Sequence, residues 1–184
     1  MWLLIVAIVI VALILFYIHF NRDPDREIPK TGIVSPADGK VLEAATVKSG
    51  KGYARFAKGM LPATMIRIFL SLFDVHVQRA PIEGIVKEIK YFPGRKLFAF
   101  SDNAWENEHA EITIKSEIGL VKVVLIAGIL ARRIRVFAKK GQKLQKGQRI
   151  GRILLGSQVI LILPKCKTKT KRGQRVQAGT SIIA

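Results

Sequence analysis

The sequence is short of cysteine and lacks the patterns of several common catalytic sites. Cys166 is the only cysteine in 184 residues, so the chain can form no internal disulfide and offers no cage of thiolates to a metal ion. This usage is consistent with a reducing compartment. No Gly-x-Ser-x-Gly pattern occurs, which disfavours a serine hydrolase acting on external substrates.

Acidic residues are absent from the last third of the chain. All thirteen Asp and Glu residues lie at or before Glu117, whereas the 67 residues that follow contain sixteen Lys and Arg. Such a surface attracts nucleic acid or anionic lipid headgroups. Phe137 is the only aromatic residue after Glu117, and single-stranded nucleic acid is usually bound with stacking aromatics. A lipid partner is therefore favoured, and nucleic acid is not expected.

One long apolar run is present, at the start of the chain. Residues 2–18 are seventeen apolar residues without a charge, near the lower length limit for a membrane-spanning helix. The basic stretch and small-residue cleavage site of a signal peptide are missing. Arg22, Arg26 and Lys30 follow the run, and this positive-inside bias predicts a single span in the cell membrane with the rest of the chain in the cytoplasm.

The remaining sequence has the pattern of a β protein. Residues 1–20 are predicted to be a transmembrane anchor, residues 21–34 a juxtamembrane linker, and residues 35–184 one β domain. Short runs rich in β-branched residues alternate with glycines, which is typical of strands. The clearest predicted strands are residues 65–70, 85–91, 112–114 and 120–126.

Two internal similarities support a repetitive β architecture. Residues 36–41 are echoed by residues 81–86, each a proline-led turn in which a glycine releases the chain into a strand. Residues 141–150 are echoed by residues 173–182, and this second pair resembles the hairpins of lipoyl- and biotinyl-carrier-like barrel sandwiches. Because one fold hosts many activities, a membrane-anchored, lipoyl-like adaptor without enzymatic activity is an alternative function.

His76 is the histidine with the most suggestive surroundings. Strand alternation over residues 73–78 would place Asp74, His76 and Gln78 on one face. These residues are either a solvated polar face or the setting of a general acid or base. His109 has acidic neighbours without the regular spacing of metal ligands, so no metal site is expected.

Two further positions admit both a structural and a chemical interpretation. Asp38 precedes Gly39, which is ordinary turn chemistry. Gly156 and Ser157 interrupt the apolar residues 150–163, and such a pair indicates either a bulge or bend in a strand or a strained peptide bond that the Ser157 hydroxyl can attack.

Taken together, these motifs resemble the short phosphatidylserine decarboxylases. Five segments match in order between residues 21 and 165. They are residues 21–29, 35–39, 73–81 with Gly84, 128–134, and 156–157 before Pro164.

The resemblance implies a proenzyme that cuts itself between Gly156 and Ser157. The Ser157 hydroxyl would attack the Gly156 carbonyl, and elimination followed by hydrolysis would leave a pyruvoyl group at position 157. The products would be a large chain, 1–156, and a small chain, 157–184, that stay together as a heterodimer, with a higher oligomer left open. The resemblance assigns Asp38, His76 and Ser157 to this cut, with His76 as base and Asp38 as its partner.

The same resemblance implies the reaction and its cofactor. The pyruvoyl group would form a Schiff base with the amine of a serine-headed phospholipid, phosphatidylserine or its ether-linked archaeal equivalent archaetidylserine, and carbon dioxide would leave. No metal and no pyridoxal phosphate are implied. Arg132 and Arg133 are candidates for holding phosphate or carboxylate, or else form a solvated basic edge. Arg79, which stands where longer members carry a second histidine, is a third candidate.

Overall fold

The computed structural model describes residues 1–129, 133–154 and 156–184. These residues form one α-helix, two short 3-10 helices at Gly52–Ala57 and Ala104–Glu106, and eleven strands. The helix α1 is Trp2–Phe20. The strands are β1 Gly39–Val47, β2 Ala63–Leu70, β3 Val77–Arg79, β4 Gly84–Phe92, β5 His109–Ser116, β6 Gly119–Ala127, β7 Ile134–Val136, β8 Lys143–Leu144, β9 Arg149–Ile153, β10 Ser157–Pro164 and β11 Arg175–Val176. The prediction of a mostly β chain after an apolar helix is confirmed.

The helix α1 is apolar on every side and meets the β structure only at its C-terminal end. It is long and apolar enough to cross a membrane, and only its last residue, Phe20, is buried. A helix that is apolar all round needs an apolar surrounding for its whole circumference. At its end the Asn21 side chain donates to the Tyr17 carbonyl at 2.8 Å, and Arg22 donates to the His19 carbonyl at 2.7 Å.

Every strand pairing among the described residues is antiparallel, in two sheets. The larger sheet has the order β11-β1-β2-β10-β6-β5-β4-β8, and the smaller has the order β3-β9-β7. The middle strand β10 carries the sequence Ser-Gln-Val-Ile-Leu-Ile-Leu-Pro, which is buried at all but its last residue. A strand that is covered on both faces has no need of polar alternation. This explains the unbroken apolar run of residues 159–163.

Each segment of the first internal similarity pairs in space with a segment of the second. Strand β1 starts at Gly39, which lies opposite Val176 of β11, and β4 starts at Gly84, which lies opposite Leu144 of β8. Both long strands carry a register shift at the same point of the repeat, between Val41 and Glu43 and between Val86 and Glu88. The two halves of the domain thus repeat one local arrangement. A carrier-like barrel sandwich stays a prediction.

Residues 21–34 lie against the domain. Asp23 forms ion pairs with Arg79 and Arg149. A Cβ atom on Gly147 would lie only 2.4 Å from the Cδ1 atom of Ile28, so the absence of a side chain there makes room for the isoleucine. These contacts fasten the predicted linker to the β structure.

The prediction of one alternating strand over residues 73–78 is wrong at its start. Strand β3 begins only at Val77, and Asp74 closes a turn by donating its amide to the Ser71 carbonyl at 3.1 Å. Asp74, His76 and Gln78 are all buried. The interpretation of these residues as a solvated polar face is therefore also wrong.

Candidate active site

Ser157 is the first residue of the middle strand. It lies opposite Leu70 of β2 on one side and opposite Ala127 of β6 on the other. The residue is fully buried, and its Oγ atom has no hydrogen-bond partner within the described part of the chain. A buried hydroxyl without a partner costs about 1–3 kcal/mol, so its presence calls for a chemical reason.

The residue before Ser157 has a left-handed backbone. Gly156 has a φ of +60°, a conformation that glycine adopts without a Cβ penalty. Its carbonyl lies against Gly128, where a Cβ atom would be 2.2 Å from the Gly156 oxygen. Gly128 thus allows the chain to come close to the one carbonyl that the Ser157 hydroxyl would have to attack.

His76 lies at the same end of the sheets as Ser157, but in a different segment of the chain. Strand β2 ends at Leu70, opposite Ser157, and the turn that follows leads to His76, whose carbonyl accepts the amide of Ile153 at 3.3 Å. Ile153 is the last residue of β9, and from there the chain runs to Gly156. The topology therefore brings His76 and the Gly156-Ser157 bond to one end of the domain.

The His76 ring is buried and neutral. Its Nδ1 atom lies 2.8 Å from the Asp74 backbone carbonyl, and since a carbonyl only accepts, Nδ1 carries the proton. The Nε2 atom is then an acceptor, and it has no partner among the residues that the structure describes. Burial lowers the pKa of His76 to about 4, against the raising effect of the Asp74 carbonyl and carboxylate. A neutral imidazole with a free Nε2 atom is suited to accept a proton.

Asp38 lies directly before β1, and both of its carboxylate oxygens are engaged. Its Oδ1 atom accepts the amide of Ala178 at 2.8 Å, and its Oδ2 atom pairs with Arg26 at 2.9 Å. In residues 1–129, 133–154 and 156–184, no hydrogen bond joins Asp38 to His76. The relay of Asp38, His76 and Ser157 stays a prediction.

Asp74 is a second buried carboxylate; the sequence placed it beside His76, but the resemblance gave it no role. Its Oδ2 atom accepts from the amide and the hydroxyl of Ser71 at 2.8 and 2.7 Å, and its Oδ1 atom pairs with Arg175. Its charge raises the pKa of His76. Its position two residues before His76 was the signal available in the sequence, but the two residues were interpreted as neighbours on one face of a strand.

The three arginines predicted to bind substrate have different surroundings. The Arg79 guanidinium donates to Asp23, to the Pro24 carbonyl at 3.0 Å and to the Gly147 carbonyl at 3.1 Å, so it clamps the juxtamembrane segment. Arg133 is exposed. Arg132 lies outside the described residues.

Two buried amide side chains support the junction from the side. Gln158, next to Ser157, donates to the Ala99 carbonyl and to the Tyr53 hydroxyl. Asn107 donates to the Leu97 carbonyl and to the Ala127 carbonyl, both at 2.8 Å. Together they tie the segment around residues 97–99 to β10, which contains Ser157, and to the neighbouring strand β6. A lone glutamine in an apolar run was the sequence signal for Gln158.

An apolar cavity of about 320 Å³ opens beside the junction. Its lining includes Gly156, Leu70 and the aromatic residues Phe69, Phe98 and Phe100. His109 is separate from this cavity, because its ring is packed between Phe92 and Phe56, with centroids 4.9 and 5.1 Å away.

Comparison with known proteins identifies the family of this chain. The family model described as phosphatidylserine decarboxylase matches residues 13–184. The phosphatidylserine decarboxylase proenzyme of Carboxydothermus hydrogenoformans is 44% identical over 182 residues, which cover 96% of this chain and 83% of the relative. That of Solibacter usitatus is 40% identical over 181 residues, covering 97% and 82%. That of Chlorobaculum tepidum is 36% identical over 186 residues, covering 97% and 82%. The chain belongs to the phosphatidylserine decarboxylase family.

Proposed function

We propose that this chain is a self-cleaving proenzyme that decarboxylates phosphatidylserine, or its ether-linked equivalent archaetidylserine, to the ethanolamine phospholipid. The names of its relatives favour phosphatidylserine. The observation that carries the proposal is a pair of buried atoms, Ser157 Oγ and His76 Nε2, at the end of the domain that holds the left-handed Gly156; neither atom has a hydrogen-bond partner among the described residues.

Self-cleavage uses only residues of the chain. His76 Nε2 takes the hydroxyl proton as Ser157 Oγ attacks the Gly156 carbonyl carbon, and returns it to the Ser157 nitrogen as the C–N bond breaks, which leaves an ester and a free amine. Loss of the Ser157 α-proton then expels the Gly156 carboxylate and leaves dehydroalanine at position 157. Its tautomer reacts with water, which releases ammonia and leaves the pyruvoyl group.

The surroundings of position 157 fit a small electrophilic group. Ser157 is fully buried between two strands, and its hydroxyl makes no hydrogen bond to the described residues that the conversion would break. The pyruvoyl group supplies a carbonyl that binds the substrate amine and takes up the electrons released with carbon dioxide. The role of His76 in that reaction is to take a proton from the substrate ammonium at Nε2 as the amine condenses, and to return it to the substrate α-carbon once carbon dioxide has left.

The proposed products remain one folded unit. The small chain of residues 157–184 contains β10, which pairs with β2 and β6, and β11, which pairs with β1. Its apolar side chains lie in the core, so a cut before Ser157 leaves it bound. We also propose that α1 is a membrane span, with the domain on the cytoplasmic side because Arg22, Arg26 and Lys30 follow it.

Intact-mass spectrometry of the purified full chain in detergent tests this proposal. We expect two chains, and the one that begins at position 157 should be lighter than unmodified residues 157–184 by the mass of ammonia. Ser157→Ala and His76→Ala should each remain a single chain without decarboxylase activity. An uncut, inactive wild-type chain in membranes as well as in detergent would instead favour the adaptor function, and activity in Ser157→Ala would refute the mechanism.

A further inference from the structure

A second cavity, of about 550 Å³, lies where α1 meets the smaller sheet. Its helix wall is apolar and is formed by Leu13, Phe16, Tyr17 and Phe20, and its sheet wall carries Arg135 and Arg152. We call it the interfacial cavity. One side of it is thus the last two turns of an apolar helix, and the other side is cationic.

The two arginines face each other across neighbouring strands. Arg135 of β7 lies opposite Arg152 of β9 in antiparallel register. Like charges in this relationship are only about 5 Å apart at Cβ and destabilise a sheet unless something compensates them. An anion placed between the two guanidinium groups would compensate both charges.

No acidic side chain fills that role. All thirteen acidic residues are among the described residues, yet none of the ion pairs found there involves Arg135 or Arg152. One Arg152 nitrogen donates to the Asn21 carbonyl at 2.7 Å, while its buried Nε atom has no partner in the part of the chain described. A buried cationic donor without an acceptor is costly, so this site is suited to bind an anion that accepts a hydrogen bond from it.

The interfacial cavity adjoins the candidate active site. Phe20 lines it and also packs against His76, with ring centroids 4.4 Å apart. Arg152 lies opposite Val77, the residue after His76, and its charge is close enough to lower the pKa of the histidine. A ligand held by the two arginines would therefore sit beside the residue that handles protons.

We propose that Arg135 and Arg152 bind the phosphodiester of the phospholipid substrate in the interfacial cavity. This rests on the proposed function and assigns the phosphate to residues other than Arg79, Arg132 and Arg133. A guanidinium group forms two parallel hydrogen bonds to phosphate oxygens, and a pair of them matches one phosphodiester. The acyl chains then follow the apolar face of α1 towards the membrane, and the serine headgroup extends towards His76.

Binding can be measured without catalysis in the full-length Ser157→Ala chain. Dioctanoyl phosphatidylserine, dioctanoylglycerol and inorganic phosphate are titrated separately in non-ionic detergent and followed by calorimetry. In this background Arg135→Gln/Arg152→Gln is compared with Arg172→Gln, which removes an exposed charge outside the cavity. Thermal unfolding of every variant checks that the fold is retained.

We expect the double variant to bind phosphatidylserine about tenfold to a hundredfold more weakly, since hydrogen bonds to a charged group are lost. Arg172→Gln should bind like the parent, and dioctanoylglycerol should bind all three chains alike. Equal affinity of the parent and the double variant for phosphatidylserine would overturn the inference. Inorganic phosphate that binds as tightly as the lipid would overturn the lipid assignment.

Failure of this inference is distinguishable from failure of the proposed function. Ser157→Ala forms no pyruvoyl group, so the binding comparison does not depend on self-cleavage. If wild-type mass spectra show no cut while the arginine dependence holds, the proposed function fails and the lipid site stands. If the cut and the decarboxylation occur but the double variant binds normally, only the lipid site fails.

Discussion

The aromatic ring of Phe20, the last residue of α1, packs against the imidazole of His76 with centroids 4.4 Å apart. The end of the predicted membrane span thus covers the residue that we propose as the base. The two side chains are buried together, and burial is the main cause of the low pKa of His76. Removal of the helix would therefore change the chemistry as well as the location of the domain.

Phe20→Ala tests this coupling between the helix and the base. Water that reaches the imidazole stabilises its charged form, so the pKa of His76 should rise from about 4 towards 6.5. The midpoint of the pH profile of self-cleavage should then move upwards by about one unit. The measurement is the rate of cleavage from pH 3.5 to 8, with Phe16→Ala, one turn earlier in α1, as the control. An unchanged midpoint in Phe20→Ala would contradict the shielding role.

The low pKa of His76 also predicts a pH dependence of stability. Its value in the folded chain, about 4, is below the ordinary 6.5, so between these pH values the unfolded chain binds a proton that the folded chain does not. The free energy of unfolding should be fully retained above pH 6.5 and should fall as pH is lowered towards 4, by on the order of 3 kcal/mol. Asp74, Arg22 and Arg152 contribute the neighbouring charges.

Chemical denaturation at pH 7, 5.5 and 4 measures this dependence. Ser157→Ala is the parent, which keeps the chain uncut, and Ser157→Ala/His76→Gln is the comparison. The parent should lose more of its free energy of unfolding than the comparison chain does as the pH is lowered. Parallel pH curves for the two chains would show that His76 is not the group responsible.

Gly128→Ala should block self-cleavage without touching Ser157 or His76. The added Cβ atom would lie 2.2 Å from the Gly156 oxygen, so the scissile carbonyl would have to move. Overpacking of this kind typically costs about 1–3 kcal/mol. Gly50→Ala is the matched control, because its nearest neighbour would be 4.0 Å away. Gel electrophoresis after expression reads out the result, and normal cleavage of Gly128→Ala would mean that the junction tolerates displacement.

A pair of substitutions tests Asp38. Asp38→Asn should slow self-cleavage at least tenfold if its carboxylate stabilises the His76 imidazolium, as in hydrolytic triads. Arg26→Gln removes the ion-pair partner 2.9 Å from Asp38 but leaves the carboxylate in place, so it should cleave at close to the normal rate. Cleavage is followed by quantitative mass spectrometry in a time course. If both variants are slowed equally, the ion pair that fastens residue 26 is what matters, and Asp38 has no separate role.

Much of the fold was open to prediction because it depends on local patterns. Alternating β-branched runs and glycines predicted β2, β4, β5 and β6, and each prediction is confirmed by a strand that contains it. The internal similarities predicted repeated turns, and Gly39 and Gly84 do begin equivalent strands. The stretch before His76 was misjudged because Ser71 and Asp74 form a turn, and side-chain and backbone hydrogen bonds override strand alternation there.

For the candidate site too, short motifs indicated the residues but not their contacts. Ser157 and His76, which we propose as its reactive residues, were selected from short motifs, since glycine-serine and histidine chemistry depends on residue type. Their surroundings depend on distant partners. Asp38 binds the amide of Ala178, 140 residues away, and the Gly156 carbonyl needs the space left by Gly128.

Local sequence thus specified the apolar helix, the strands, the repeats and the residues with reactive groups, because each follows from periodicity or side-chain chemistry within about ten positions. Only the tertiary structure decided that Phe20 covers His76 and that Arg135 lies opposite Arg152. Both contacts follow from how the helix docks and how the strands are registered, and registration is chosen by the packing of the whole core. Burial, and with it the pKa of His76 and the surroundings of the Arg152 guanidinium, is likewise a property of the packed chain.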